Sequence, residues 1–299
     1  MPDAIAHYKI LESLGSGGIG EVYRARDTRL GRTVALRVLS PAVVADPAKF
    51  DALSTLAARL TKLSHPNIAM LFDGGQEGGR YYMVFEFVQG EPLASLINGR
   101  LLQVRRALEF SINLADALAE AHSDDLIHGD IRPDTIMITP KDRAKFMNFG
   151  LAPFTSGGVS RVNASSPYVS PEELAGHPAD ARSDIYSLGA VMFEMLTGRQ
   201  RARGLVLRGI NPTVPAEIEE IMSRMLAATV EHRAQSAATV AAELRSIAAI
   251  LDTRMEAAEA GASVEPLRRG SRRRSGMVVV VILLLAGLAA AAWYLWRAV

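Results

Sequence analysis

Lys145-Phe146-Met147-Asn148-Phe149-Gly150 ends a short strand-like run in an Asn-Phe-Gly turn. Upstream, His128-Gly129-Asp130-Ile131-Arg132-Pro133-Asp134-Thr135 gathers a carboxylate, a guanidinium and a hydroxyl into one loop. Nearer the N-terminus, Gly15-Ser16-Gly17-Gly18-Ile19-Gly20-Glu21-Val22 spaces its glycines so that the backbone can turn tightly. Backbone N–H groups in such a turn can approach phosphate oxygens. Gly-x-Gly-x-x-Gly also opens dinucleotide-binding folds, but there a helix follows it. Here residues 21–27 alternate like a second strand, so a hairpin is expected.

Strand patterns dominate the first part of the chain: residues 8–14, 21–27, 33–39 and 81–88. Helical periodicity follows at 48–63, 104–122, 183–197, 215–228 and 236–251. A β-rich part followed by an α-rich part predicts an α+β, two-lobed arrangement. No internal repeat is visible. Of 299 residues 49% are hydrophobic, ample for a core, and the net charge of +1 offers no global field for nucleic acid. The chain has no cysteine, which excludes disulfides and thiolate metal sites. The N-terminus lacks the basic and apolar regions of a secretory signal.

The C-terminal end differs. Residues 277–296 carry no charge and, at about 1.5 Å per residue, would span about 30 Å as a helix. Arg268, Arg269, Arg272, Arg273 and Arg274 precede this run, and Arg297 follows it. The positive-inside rule then places the N-terminal domain in the cytoplasm, with Trp293, Tyr294 and Trp296 at the far interface. The expected organisation is a folded domain at 8–251, a basic juxtamembrane linker at 252–276 and one transmembrane helix at 277–296. The start of the linker could prolong the preceding helix. Its arginines either bind anionic head groups or only fix topology. Gly287 and Ala291 form a small-xxx-small pair that could join two membrane helices, a pattern Ala-rich helices also carry by chance.

The three motifs are joined in order by Val34-Ala35-Leu36-Arg37, His65-Pro66-Asn67-Ile68, Phe85-Glu86-Phe87-Val88, Ser170-Pro171-Glu172 and Asp184-Ile185-Tyr186-Ser187-Leu188-Gly189. Together they resemble the landmarks of the bacterial, eukaryotic-like serine/threonine protein kinases. The resemblance covers nearly all of 8–251 and implies a two-lobed protein kinase fold. It assigns ATP contacts to Leu14, Gly15, Gly17, Gly20, Val22, Ala35, Glu86, Val88 and Met137, with Phe85 as gatekeeper. Asp130 falls at the catalytic base and Arg132 near the γ-phosphate. Glu172 is expected to pair with Arg233, and Leu60, Leu71, His128 and Phe149 to form the regulatory apolar column.

The charged machinery departs from the pattern. Arg37 stands where the family has the lysine that meets the α/β-phosphates; its planar fork is no copy of an ammonium. The glutamate partner of that lysine would fall near Leu56, and the neighbouring Ser54, Thr55 and Ala57 are not acidic either. Asn148 and Thr135 replace the two metal ligands, and hard cations prefer carboxylates. Gly129 replaces the catalytic-loop arginine. Losing one group that stabilises transition-state charge costs about 10²–10³ in rate. A combined loss of about 10⁴ would bring a typical kinase turnover of about 1–100 s⁻¹ to about 10⁻⁴–10⁻² s⁻¹.

The expected protein is therefore a degenerate kinase, a pseudokinase. It is anchored at the inner membrane by a single span and acts as a signalling scaffold or regulator for a protein partner. ATP would bind weakly, without magnesium held in the usual way, or not at all. The alternatives are a slow protein kinase that uses Asp130 as base and a non-hydrolysing ATP sensor. The segment between Gly198 and Pro215 is short for the family, and Thr229-Val230-Glu231-His232-Arg233 lacks its Asp-Pro. Thr155, Ser156, Ser160, Ser165 and Ser166 are either phosphoacceptors or a plain polar loop.

Overall fold

The computed structural model describes residues 3–154, 166–202 and 205–263, with side chains only as far as 257. The chain forms one compact unit over Met1–Ala249 and a second from Ile250. The apolar run at 277–296, the arginines before it, Gly287 and Ala291 all lie outside the described residues, as do Thr155, Ser156, Ser160 and Ser165. Among the described residues no helix is long and apolar enough to cross a membrane.

The first unit opens with strands β1 (Ala4–Ile5), β2 (Tyr8–Gly17), β3 (Gly20–Asp27) and β4 (Arg32–Leu39). Helices α1 (Pro41–Val44) and α2 (Pro47–Leu60) follow, then β5 (Leu71–Glu77) and β6 (Arg80–Glu86). The antiparallel sheet runs β1-β2-β3-β4-β6-β5. Alternating residues of β2, β3, β4 and β6 bury Tyr8, Tyr23, Ala25, Val34, Leu36, Tyr82 and Val84 in one cluster. Asp46 caps α2 by accepting from the Lys49 backbone N–H at 3.2 Å. β5 has no strand pattern in the sequence: Asp73-Gly74-Gly75-Gln76-Glu77 is polar and glycine-rich. It forms at the sheet edge because β6 supplies its backbone partners, from Leu71↔Phe85 to Glu77↔Arg80.

The rest of the unit is helical around a small sheet. Strands β7 (Glu91–Pro92), β8 (Ile136–Ile138) and β9 (Ala144–Phe146) form it in that order. The helices are α3 (Leu93–Ile97), α4 (Val104–Ser123), α5 (Pro171–Leu174), α6 (Ala181–Thr197), α7 (Leu207–Ile210), α8 (Ala216–Met225) and the start of α9 (Ala237–Ser263), which runs on into the second unit. A six-stranded sheet followed by this helical part is the two-lobed α+β architecture read from the sequence. α6 is buried from Ser183 to Phe193, so it shows little amphipathic periodicity. Asp180 caps its start, and Gly198 ends it in the left-handed region at φ +68°. A Cβ on Gly198 would lie 2.7 Å from the Gly99 carbonyl oxygen. α9 continues to Ser263, past the expected linker start at residue 252, because Met255-Glu256-Ala257-Ala258-Glu259-Ala260 are good helix formers. Only the four-residue α7 is described as helix between Gly198 and Pro215.

Arg233 and Glu172 form a bidentate ion pair, Nη1–Oε1 at 2.5 Å and Nη2–Oε2 at 2.8 Å. Arg233 also donates to the Ala227 and Arg182 carbonyls, and Ser183 Oγ donates to Glu172 Oε1 at 2.7 Å. Burial alone would raise the Glu172 carboxyl. The hydrogen bonds from Arg233 and Ser183 outweigh it and hold the group down at about 2.

Candidate functional site

A cleft of about 510 Å³ lies under the β2–β3 hairpin. Its walls include Leu14, the stretch from Gly15 to Gly20, Val22, Arg37, Asp130, Arg132, Met137 and Asn148. The sheet register explains part of this convergence: Val22 pairs with Arg37, and Gly15 with Val22. Ala35, Glu86 and Val88 are not among the lining residues. Ala35 is buried opposite Phe85, Glu86 is opposite Val34, and Val88 is buried just beyond β6.

The glycines have separate reasons. Gly20 has φ +152°, and a Cβ there would stand 1.8 Å from the Val38 carbonyl oxygen, so the hairpin can seat on β4 only with glycine. Gly15 has φ +134° with nothing within 4 Å of an added Cβ, leaving open space beside its backbone.

At the back of the cleft, Arg37 Nη2 donates to Asn148 Oδ1 at 2.6 Å. The Arg37 guanidinium also stands 5.9 Å from the Phe85 ring centroid. Its Nε is buried and has no hydrogen-bond partner. Among the described residues no carboxylate lies within ion-pair distance of Arg37. Burial without a counter-charge lowers the guanidinium to about 10, which leaves it cationic at neutral pH. Asn148 occupies the left-handed region at φ +60°, which asparagine tolerates better than most residues.

Leu56, the residue expected near the glutamate position, brings hydrocarbon to the Asn-Phe-Gly turn. A Cβ on Gly150 would meet Leu56 Cδ1 at 3.0 Å, so the Leu56 side chain from α2 lies directly against the Asn-Phe-Gly turn. Phe149 follows, sharing a small apolar space with Leu60, Leu63, Leu71 and Phe85. The His128 ring meets Phe149 edge-on at 4.9 Å. The apolar column is thus assembled beside a site that has exchanged its charges.

The loop carrying Asp130 is held from below. Asp184 accepts the backbone N–H groups of His128 at 2.8 Å and Gly129 at 2.9 Å, and pairs with His122 Nε2 at 2.9 Å. Gly129 needs its glycine: φ is +73°, and an added Cβ would lie 3.3 Å from Ala152 Cβ. Arg132 Nε donates to Asp130 Oδ1 at 3.2 Å, and its Nη1 donates to Asp134 Oδ2 at 2.7 Å. Thr135 is buried. Its hydroxyl reaches the Asp130 and Arg132 carbonyls at 2.8 and 3.0 Å and accepts from the Arg132 N–H at 3.1 Å. It ties the loop to itself while Thr135 also lines the cleft.

The anionic groups open to a magnesium-bound nucleotide are few. The acidic side chains lining the cleft are Asp130 and Asp134, and both are bonded to Arg132. The amide oxygen of Asn148 is taken by Arg37, and Thr135 is committed to its own loop. Hard divalent cations need several oxygen ligands, preferably anionic. The apolar walls and the hairpin backbone, by contrast, could accept a nucleoside. Sequence reasoning did not find the half-buried Lys145–Glu86 pair, with Nζ–Oε1 at 2.6 Å, which ties β9 to the end of β6. Its only signal was a lone lysine in an apolar strand.

A family profile described as "Protein kinase domain" matches residues 8–251. Among curated proteins, the chain is 37% identical over 210 residues to the serine/threonine-protein kinase PknA of Mycobacterium tuberculosis, covering 66% of this chain and 48% of that protein. It is 34% identical over 260 residues to the serine/threonine-protein kinase PrkC of Bacillus subtilis, covering 80% of this chain and 40% of that protein. The chain thus matches less than half the length of these relatives. The crystal structure of the Mycobacterium tuberculosis PknI kinase domain superposes with a TM-score of 0.67 at 27% identity. That likeness covers 81% of this chain and 97% of that one. The chain belongs to the protein kinase family and is similar to its bacterial serine/threonine members.

Proposed function

We propose that this member of the protein kinase family is a membrane-anchored signalling scaffold or regulator impaired in phosphotransfer. One observation carries the reading: Arg37 is bonded to Asn148 at 2.6 Å, with a neutral amide where the family places its main metal-binding carboxylate. Leu56 against Gly150 removes the acidic partner of the basic group, and Thr135 is withdrawn into its loop. What remains intact is packing: the apolar column, the Glu172–Arg233 pair and the loop suspended from Asp184. Such a domain keeps the kinase shape for a protein partner. The uncharged run at 277–296 behind its arginines supports a single membrane span with the kinase-like domain on the cytoplasmic side.

The test is phosphorylation by the purified chain with ATP and Mg²⁺ or Mn²⁺, read by mass spectrometry beside Asp130→Asn. We expect wild type and variant to be indistinguishable. We also expect the fourfold variant Arg37→Lys, Leu56→Glu, Thr135→Asn, Asn148→Asp to gain transfer. Wild-type turnover of about 1 s⁻¹ or more, the range of ordinary kinases, sinks the proposal. Removing 277–296 should move the protein from the membrane fraction to the soluble one; retention in the membrane refutes the anchor. A second reading, a slow serine/threonine protein kinase with Asp130 as base, is favoured by Asp130 lining the cleft beside Arg132. Phosphorylation lost only in Asp130→Asn would select it.

A further inference from the structure

We propose that the cleft takes a nucleoside polyphosphate in its metal-free form, gripped by Arg37, and that divalent cations weaken this binding rather than support it. The proposal deepens the phosphotransfer-impaired reading of the same site and rests on it. Arg37 commits Nη2 to Asn148 and buries its Nε, while among the described residues its Nη1 makes no hydrogen bond. Asn148 therefore fixes the guanidinium plane without neutralising it. The Nη1 end of the guanidinium is left over for a phosphate oxygen.

The charges decide the metal dependence. The acidic side chains lining the cleft, Asp130 and Asp134, are both bonded to Arg132. Among the described residues no carboxylate lies within ion-pair distance of Arg37 to draw a cation to that end of the cleft. A free triphosphate carries two more negative charges than its magnesium complex. It meets the uncompensated guanidinium with the larger attraction, in a desolvated place where Coulomb terms are strong. The magnesium complex brings a strongly hydrated cation next to a guanidinium and an amide oxygen already in use. The hairpin offers its backbone at Gly15 and Gly17, where no heavy atom stands within 4 Å of an added Cβ.

Calorimetric titration of the full chain in detergent tests this, with ATP in EDTA, ATP in excess Mg²⁺, tripolyphosphate in EDTA, and adenosine as separate arms. We expect ATP to bind at least tenfold tighter in EDTA than in excess Mg²⁺, with tripolyphosphate competing. Arg37→Met should lose tenfold or more of the ATP affinity in EDTA and keep that for adenosine, which separates lost charge from lost fold. Asn148→Asp should reverse the sign of the magnesium effect, because it supplies a metal ligand and repels the bare polyphosphate. Tighter binding of ATP with Mg²⁺, absence of ATP binding in both conditions, or an unchanged metal dependence in Asn148→Asp overturns the proposal. Absence of binding would leave the impaired-transfer reading standing, whereas magnesium-dependent phosphorylation would remove both.

Discussion

Replacing Asn148 by glycine should cost the fold the anchor of a buried cation. The Oδ1 atom accepts from Arg37 Nη2 at 2.6 Å, and among the described residues no carboxylate can take its place. Hydrogen bonds to charged groups contribute about 1.5–3 kcal/mol. Glycine is the right replacement because Asn148 sits at φ +60°, where alanine would add left-handed strain of about 1–2 kcal/mol. Glycine itself costs about 0.5–1 kcal/mol through the unfolded chain. The expected loss is therefore about 2–4 kcal/mol by urea denaturation, or a melting temperature lower by about 4–16 °C for a domain of this size. In an Arg37→Met background there is no guanidinium to orphan, and the same change should cost only the glycine term of about 0.5–1 kcal/mol. The coupling energy of that double-mutant cycle measures the bond. An equal cost in both backgrounds, within about 0.5 kcal/mol, would refute the claim that Asn148 serves Arg37.

Arg233→Leu should destabilise by about 3–5 kcal/mol, because it strands the Glu172 carboxylate in the interior; a loss below about 1 kcal/mol by chemical denaturation would count against the pair. The Glu172 carboxyl, held at about 2 in the folded chain, binds fewer protons there than when unfolded, so its stabilisation is present above the usual glutamate range and fades as pH falls toward 2. It amounts to at most about 3 kcal/mol, and a Glu172→Gln variant should show a flatter acid limb in denaturation midpoints measured between pH 3 and 7. Gly20→Ala forces a Cβ to within 1.8 Å of the Val38 oxygen, so it should destabilise clearly more than Gly78→Ala, which has φ +55° but open space; equal melting temperatures for the two would contradict the close approach of hairpin and β4.

The legible part of this fold was carried by patterns that repeat locally. β3, β4 and β6 alternate apolar residues, and α4 presents a long buried stripe, so their existence followed from periodicity. The glycine hairpin, the Asp130 loop and the Asn-Phe-Gly turn were marked by residue type. β5 was missed because its Asp-Gly-Gly-Gln-Glu sequence has no preference of its own; the edge of a finished sheet imposes it. Whether α9 runs on past residue 252 was left open by the sequence, because composition changes gradually there and helix ends are weakly specified.

The sequence by itself determined which charged groups this cleft can contain, since an arginine at 37, a threonine at 135 and an asparagine at 148 are fixed whatever the fold. Only the tertiary structure decided what those groups do to one another. It turned Arg37 onto Asn148 across 111 positions of chain, sealed Leu56 against Gly150, and folded the Thr135 hydroxyl back onto its own loop. Hydrogen bonds and desolvation act over a few ångströms in space, and spacing along the chain carries no information about which distant atoms will come that close.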